Sequence, residues 1–169
     1  KDRLPETPSI TEWLGSLLKM DEKVGIDGWV NTHQEAEALR YQLKRYGIEL
    51  ITLTEDFFDK IWEDRPCLPK SPVFILEERT GASCSEKISR IRTALDKLHG
   101  GDIILSSLDE IAWTLNLRGE DVHCNPVFIS YLWITSKNNT LYILEEKITD
   151  EVRSYLKKHQ VSIKPYTEL

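Results

Sequence analysis

Leu108-Asp-Glu-Ile-Ala-Trp113-Thr-Leu-Asn116-Leu-Arg118-Gly119-Glu-Asp121-Val-His123-Cys124-Asn125-Pro126-Val-Phe128-Ile-Ser-Tyr131 is the stretch whose reading decides the fold. It begins as an amphipathic helix, passes through a polar loop and ends in an apolar strand. The loop holds Asn, Arg, Gly, Asp and an Asn-Pro pair, a density of hydrogen-bonding groups typical of binding loops held between buried elements. A helix C-terminus whose polar groups satisfy one another is the competing reading.

Outward from this stretch the pattern is that of an α/β domain. Ser107-x-x-Glu110 is expected to cap the motif helix. Downstream, strands over 127–135 and 140–144 form a hairpin across Ser136-Lys-Asn-Asn139, followed by a helix over 150–159 and a strand over 161–166. Upstream lie a strand over 73–76, a helix carrying Ile88, Ile91, Leu95 and Leu98 with Gly100-Gly101 as its stop, and a strand over 102–105. The order βαβαββαβ predicts one mixed sheet from about Val73 onward, with helices on both faces.

Pro66, Pro69 and Pro72 cannot continue a helix, so the main boundary falls there. Before it, capping boxes at Ser9-x-x-Glu12 and Thr32-x-x-Glu35 start two helices, and strands follow over 23–27 and 48–53. Gly47 stops the second helix. A short helix over 55–63 is also expected. The first eight residues, with Pro5 and Pro8, read as a loop leading from something absent.

The chain has 169 residues, 40% hydrophobic and 30% charged, with a formal net charge of −6. That acidity argues against a general nucleic-acid or anionic-membrane binder. Lys87, Arg90, Arg92 and Lys97 on one helix read as a solvated face. Cys67, Cys84 and Cys124 are far apart and odd in number, which implies neither a disulfide framework nor a zinc site and fits reduced thiols in the cytoplasm. No run of ~18 apolar residues is present. Asn138-Asn139-Thr140 matches a glycosylation sequon but reads as a hairpin turn.

Motifs of known chemistry are missing from the sequence. Neither a G-x-G-x-x-G, a G-K-[ST] nor a G-x-S-x-G occurs. His123 and Cys124 are adjacent and point to opposite sides of an extended chain, so they do not share an ion. His99 and His159 read as cations at helix C-termini or as surface residues, and Trp13, Trp62 and Trp113 as core. No catalytic or metal-binding residue is assigned.

Three segments together carry a family resemblance. They are Thr7-Pro-Ser-Ile-Thr-Glu-Trp13-Leu with Val24-Gly-Ile-Asp27, then Asp59-Lys-Ile-Trp62-Glu-Asp64-Arg65-Pro66, then the stretch from Leu108 to Tyr131. In this order the chain resembles the large three-domain Xaa-Pro aminopeptidases of the creatinase/prolidase superfamily. The resemblance implies that residues 1–66 are the closing part of N-terminal domain I and residues 67–169 are domain II. It implies a creatinase/prolidase N-terminal-like mixed sheet flanked by helices. Activity in such enzymes belongs to a C-terminal pita-bread domain where two divalent metals, commonly manganese, activate a water that attacks the bond before proline.

That domain has no counterpart in this sequence. The chain alone is expected to hold no cofactor and cleave nothing, while a parent protein would be a cytoplasmic, homodimeric metallopeptidase acting on peptides with proline at the second position. The implied role is a wall that restricts access to the catalytic domain of the same chain. Asn116, Arg118, Asp121, His123, Asn125 and Phe128 are the candidates for facing that domain or its substrate. Cys124 departs from the family pattern, which often has an imidazole or aromatic ring there. Two alternatives stay open: a free-standing α/β interaction module binding through its sheet edge or hairpin (Phe128, Tyr131, Trp133), and a small enzyme of another type.

Overall fold

The computed structural model describes residues 7–54, 58, 61–76 and 80–169. Most of the helix expected over 55–63 lies outside the described residues, as does the start of the leading loop. The chain divides into two compact units, Lys1–Pro66 and Cys67–Leu169.

In the first unit α1 (Ile10–Leu17), β1 (Lys23–Asp27), α2 (His33–Lys44) and β2 (Glu49–Leu53) follow one another. Both helices start in full capping boxes: Ser9 and Thr32 accept from the backbone of Glu12 and Glu35, whose carboxylates accept from the cap residues' N–H in return. β1 and β2 pair in parallel from Lys23↔Glu49 to Asp27↔Leu53. Leu43, Ile48 and Leu50 are the buried core, with Leu14, Leu18, Val24, Ile26 and Leu39 packed on them. On the far side of α1, Ile10, Trp13 and Leu17 stay exposed.

The second unit runs β3 (Phe74–Ile75), α3 (Cys84–Lys97), β4 (Ile103–Leu105), α4 (Leu108–Leu115), β5 (Leu117–Arg118), β6 (Ser130–Ile134), β7 (Asn139–Ile143), α5 (Asp150–Lys158) and β8 (Val161–Pro165). Short 3-10 turns occupy Glu145–Lys147 and Tyr166–Glu168. The main sheet has the order β4-β6-β7-β8, with β7 and β8 parallel and the other pairs antiparallel. It is mixed, as the sequence pattern predicts.

Three features differ from expectation. The strand over 73–76 does not join this sheet; Phe74 and Ile75 pair instead with Arg118 and Leu117, inside the supposed polar loop. The strand expected from 127 starts at Ser130, because Val127 and Phe128 turn inward as core. Nor, among the described residues, do the helices cover both faces. Ile88, Ile111, Leu115, Val152 and Leu156 join one core with Leu132, Ile134, Leu141, Ile143 and Val161, all on the inner face. Fully burying each such side chain contributes roughly 1.5–3 kcal/mol, which makes this face the main source of stability. Ile104, Tyr131, Trp133 and Tyr142 alternate onto the outer face.

Helix boundaries hold local surprises too. α3 starts in a capping box, Ser83 with Glu86, that the sequence reading passed over. Ser107 precedes α4 without making a side-chain cap bond. After α3 the left-handed residue is His99 (φ 53°), not the glycine beside it. The tryptophans expected in the core are half-exposed, Trp13 at 53%, Trp62 at 47% and Trp113 at 51%. A large ring meets the solvent at one edge while its body covers neighbours.

Candidate functional site

The motif stretch is organised around two buried cations. α4 ends at Asn116, which adopts the left-handed conformation (φ 54°, ψ 33°) that closes a helix and that asparagine tolerates. Its side chain is fully buried. The amide nitrogen donates to Ala82 O (3.0 Å) and Oδ1 accepts from Lys87 Nζ (2.6 Å). Lys87 also donates to Trp113 O (2.7 Å) and sits 4.2 Å from the centroid of the Trp113 ring. Lys87 was expected on a solvated face; it is 2% exposed, because α3 turns that residue toward the electronegative C-terminus of α4. Arg92 is likewise engaged, donating to Thr135 O and Asn139 Oδ1.

Lys87 carries a pH prediction. Burial first, then the nearby Arg118, hold its ammonium below the ordinary 10.5, with Cys84 opposing and Arg90 adding to the shift. Between that lowered value and 10.5 the unfolded chain keeps a proton that the native protein has released, so Lys87 makes stability rise with pH in this window. Urea unfolding followed upward from about pH 8 should show the rise, and Lys87→Met should lessen it. Identical pH slopes in the two proteins would show that Lys87 is not desolvated.

The second cation is Lys147, in the turn after β7. Its side chain and that of Asp121 are both fully buried and form an ion pair. Asp121 Oδ2 also accepts from Ile129 N (2.6 Å), while its Oδ1 is buried with no hydrogen-bond partner among the described residues. The Lys147 carbonyl accepts from Val73 N (3.0 Å). One lysine thus ties the motif loop to the segment entering β3.

Between these anchors the loop makes a tight excursion. Asp121 N donates to Val127 O, Asn125 N donates to Val122 O, and Cys124 takes a positive φ of 60°. His123 and Cys124 therefore lie on a turn rather than on extended chain. Both line one open cleft of ≈ 440 Å³, with Phe74, Glu120, Asn125 and Pro126. Gly119 forms the floor: a Cβ there would come within 2.7 Å of Phe128 Cβ and 3.1 Å of Val127 O.

Of the six candidate residues three point inward, two are exposed and one is half-buried. Asn116, Asp121 and Phe128 point inward, Phe128 with no exposed surface. His123 and Asn125 are exposed on the cleft. Arg118 is half-buried, and its Nη1 donates to Ala112 O and Leu117 O (both 2.8 Å) rather than to Asp121 or Glu120. Lys87 and Lys147 are the members that sequence reading missed; the one usable signal was Lys87 four residues into a helix whose Ser83–Glu86 capping box was not recognised. His159, read as a cation or surface residue, is 8% exposed, and its Nδ1 lies 2.7 Å from Ser85 Oγ. Among the described residues no group of three or more His, Cys, Asp or Glu side chains could hold a metal ion, and no helix is long and apolar enough to cross a membrane.

Comparison with known proteins adds the family. A family model described as the creatinase/prolidase N-terminal domain matches residues 64–169. The probable Xaa-Pro aminopeptidase P of Sordaria macrospora is 40% identical over 172 residues, covering 100% of this chain and 28% of that protein. The same-named protein of Colletotrichum graminicola is 38% identical over 98% of this chain and 27% of its own length. Among solved structures, X-prolyl aminopeptidase from Caenorhabditis elegans, described as a cytosolic enzyme with a di-nuclear active site, superposes with a TM-score of 0.85 at 30% identity. It is matched over 99% of this chain and 28% of its own. The chain spans just over a quarter of the length of the relatives it matches.

Proposed function

The chain belongs to the creatinase/prolidase N-terminal domain family, and from that premise we propose that it is a non-catalytic N-terminal region of a metal-dependent Xaa-Pro aminopeptidase. In this reading residues 1–66 are the end of domain I and residues 67–169 are domain II. The parent enzyme is cytoplasmic and dimeric, with two divalent metals, manganese in our reading, in a C-terminal catalytic domain. When bound, those metals would supply an activated water for hydrolysis of the bond before proline. This region binds neither; it forms part of the wall that admits short peptides with proline at the second position.

One observation carries the reading. A buried lysine anchors each end of the loop, Lys87 on Asn116 and Lys147 on Asp121. This arrangement costs desolvation and makes sense where the exposed turn between them must hold a fixed shape. Asn116, Asp121 and Phe128 hold the loop, and Arg118, His123 and Asn125 face the catalytic domain or its substrate. The C. elegans likeness over 99% of this chain supports the family part of this reading.

The test uses the longer enzyme. His123→Ala and Asn125→Ala should leave stability within about 0.5 kcal/mol, as for exposed residues elsewhere. Arg118→Ala removes charge-assisted bonds to Ala112 O in α4 and Leu117 O in β5, and should cost the folded enzyme about 2–3 kcal/mol in kcat/KM. Replacing residues 122–125 by a short glycine linker, which keeps Asp121 on Lys147, should raise kcat/KM for long peptides relative to tripeptides. An unchanged length preference, with normal kinetics for all three point variants, would sink the wall reading and favour the interaction module.

A further inference from the structure

Two cations share the last turn of α4. Lys87 Nζ donates to Trp113 O at 2.7 Å, and Arg118 Nη1 donates to the preceding carbonyl, Ala112 O, at 2.8 Å. A helix C-terminus offers only about half a unit of negative charge. Against it stand an ammonium that is 2% exposed and a half-buried guanidinium. Their other acceptors, Asn116 Oδ1 and Leu117 O, are neutral, and among the described residues no carboxylate bonds to either cation. Burial first, and then Arg118, hold the Lys87 ammonium below its ordinary 10.5, so the two charges act on one another. The end of α4 is left with a surplus of positive charge.

The surplus has a direction. Nη1 of Arg118 is taken up by its two carbonyls, which leaves Nε and Nη2. Those two nitrogens form an edge that grips a carboxylate through parallel bonds. The residue is also held in place. Arg118 pairs with Phe74 across the β3–β5 ladder, Leu117 before it has no exposed surface, and Gly119 after it packs against Phe128 too closely for a Cβ. An arginine fixed at its backbone and at one nitrogen loses little further freedom when its other edge is bound. A passing anion would balance the surplus only while bound, whereas a buried charge needs its balance at all times. The counter-charge belongs to the polypeptide.

Resting on the reading of this chain as part of a longer peptidase, we propose that the Nε–Nη2 edge of Arg118 receives an aspartate or glutamate side chain of the C-terminal domain. The pair fixes the loop over 119–126 against that domain, and Lys87 adds to the field that draws the carboxylate in. The relatives, several times longer than this chain, have the length for such a domain.

The experiment is zero-length cross-linking in the longer protein. Arg118→Lys puts an amine at the same point, and a carbodiimide condenses that amine with a carboxylate in contact with it. Mass spectrometry of the digest, set against the unaltered protein, should show one new amide bond, from position 118 to an Asp or Glu of the C-terminal domain. A bond to a carboxylate elsewhere, Glu120 and Asp121 included, a bond to a second molecule, or no new bond in the folded variant would overturn the proposal. Should Arg118→Lys fail to fold, Arg118→Cys labelled with a benzophenone maleimide maps the neighbour on irradiation. Photoproducts within one molecule, beside an acidic residue of the C-terminal domain, are then the expected result, and photoproducts anywhere else or none at all overturn it. The expected bond in a protein that cleaves no Xaa-Pro peptide would keep the proposal and remove the peptidase reading; an active enzyme without the bond would do the reverse.

Discussion

Lys147→Met should destabilise the protein by about 3–5 kcal/mol, because it leaves the fully buried Asp121 carboxylate without its cation. At roughly 4–8 °C per kcal/mol for a unit of this size, the melting temperature should fall by more than ~10 °C. Asp121→Asn added to Lys147→Met should recover more than half of the loss, since the amide oxygen still accepts from Ile129 N and no charge remains buried. The comparison separates the cost of an orphaned charge from the net worth of the pair, which in many proteins is near zero. Calorimetry on the two variants decides it. A single-variant loss below about 1 kcal/mol, typical of exposed pairs, would show that water reaches Asp121.

Phe128→Ala carries an effect of similar size by another route. The ring has no exposed surface, and Gly119 lies so close to the Phe128 backbone side that no Cβ fits between them. Truncation should cost about 3–5 kcal/mol as lost transfer energy plus a cavity. Phe128→Leu should cost less than half of that. If instead Phe128→Ala melted normally and altered only kinetics in the longer enzyme, the residue would be a contact for substrate or catalytic domain, as its place in the motif alone suggests.

Much of the local structure was legible because its causes are local. Ser9 with Glu12 and Thr32 with Glu35 are reciprocal caps that satisfy orphan N–H groups three residues apart, so they work wherever the helix docks. The strand over 23–27 and the hairpin between β6 and β7 follow from short alternating runs and turn residues. The failures share a different cause. Ser107 fits the same cap pattern as Ser83, yet only Ser83 makes the bond. Phe74 and Ile75 read as a sheet strand, but their partners are Leu117 and Arg118, forty residues on.

The candidate site shows the same division. That a polar loop lies between apolar elements was readable from its density of Asn, Arg, Gly and Asp. The division of labour within it was not. Asp121 and His123 look equally available in sequence, and only the position of Lys147, brought from beyond the hairpin, makes Asp121 internal and leaves His123 on the cleft. Lys87 is a surface residue by composition and a buried one in the fold because the end of α4 supplies carbonyls for its ammonium.

By itself the sequence determined the helices, most strands, the mixed α/β class and the family resemblance, because capping, turn chemistry and hydrophobic period act within a few residues. The tertiary structure decided which face of the sheet is core, which cations are buried and which loop residues reach solvent. These depend on pairings across tens of residues, whose energies exist only after the chain has closed the intervening loops.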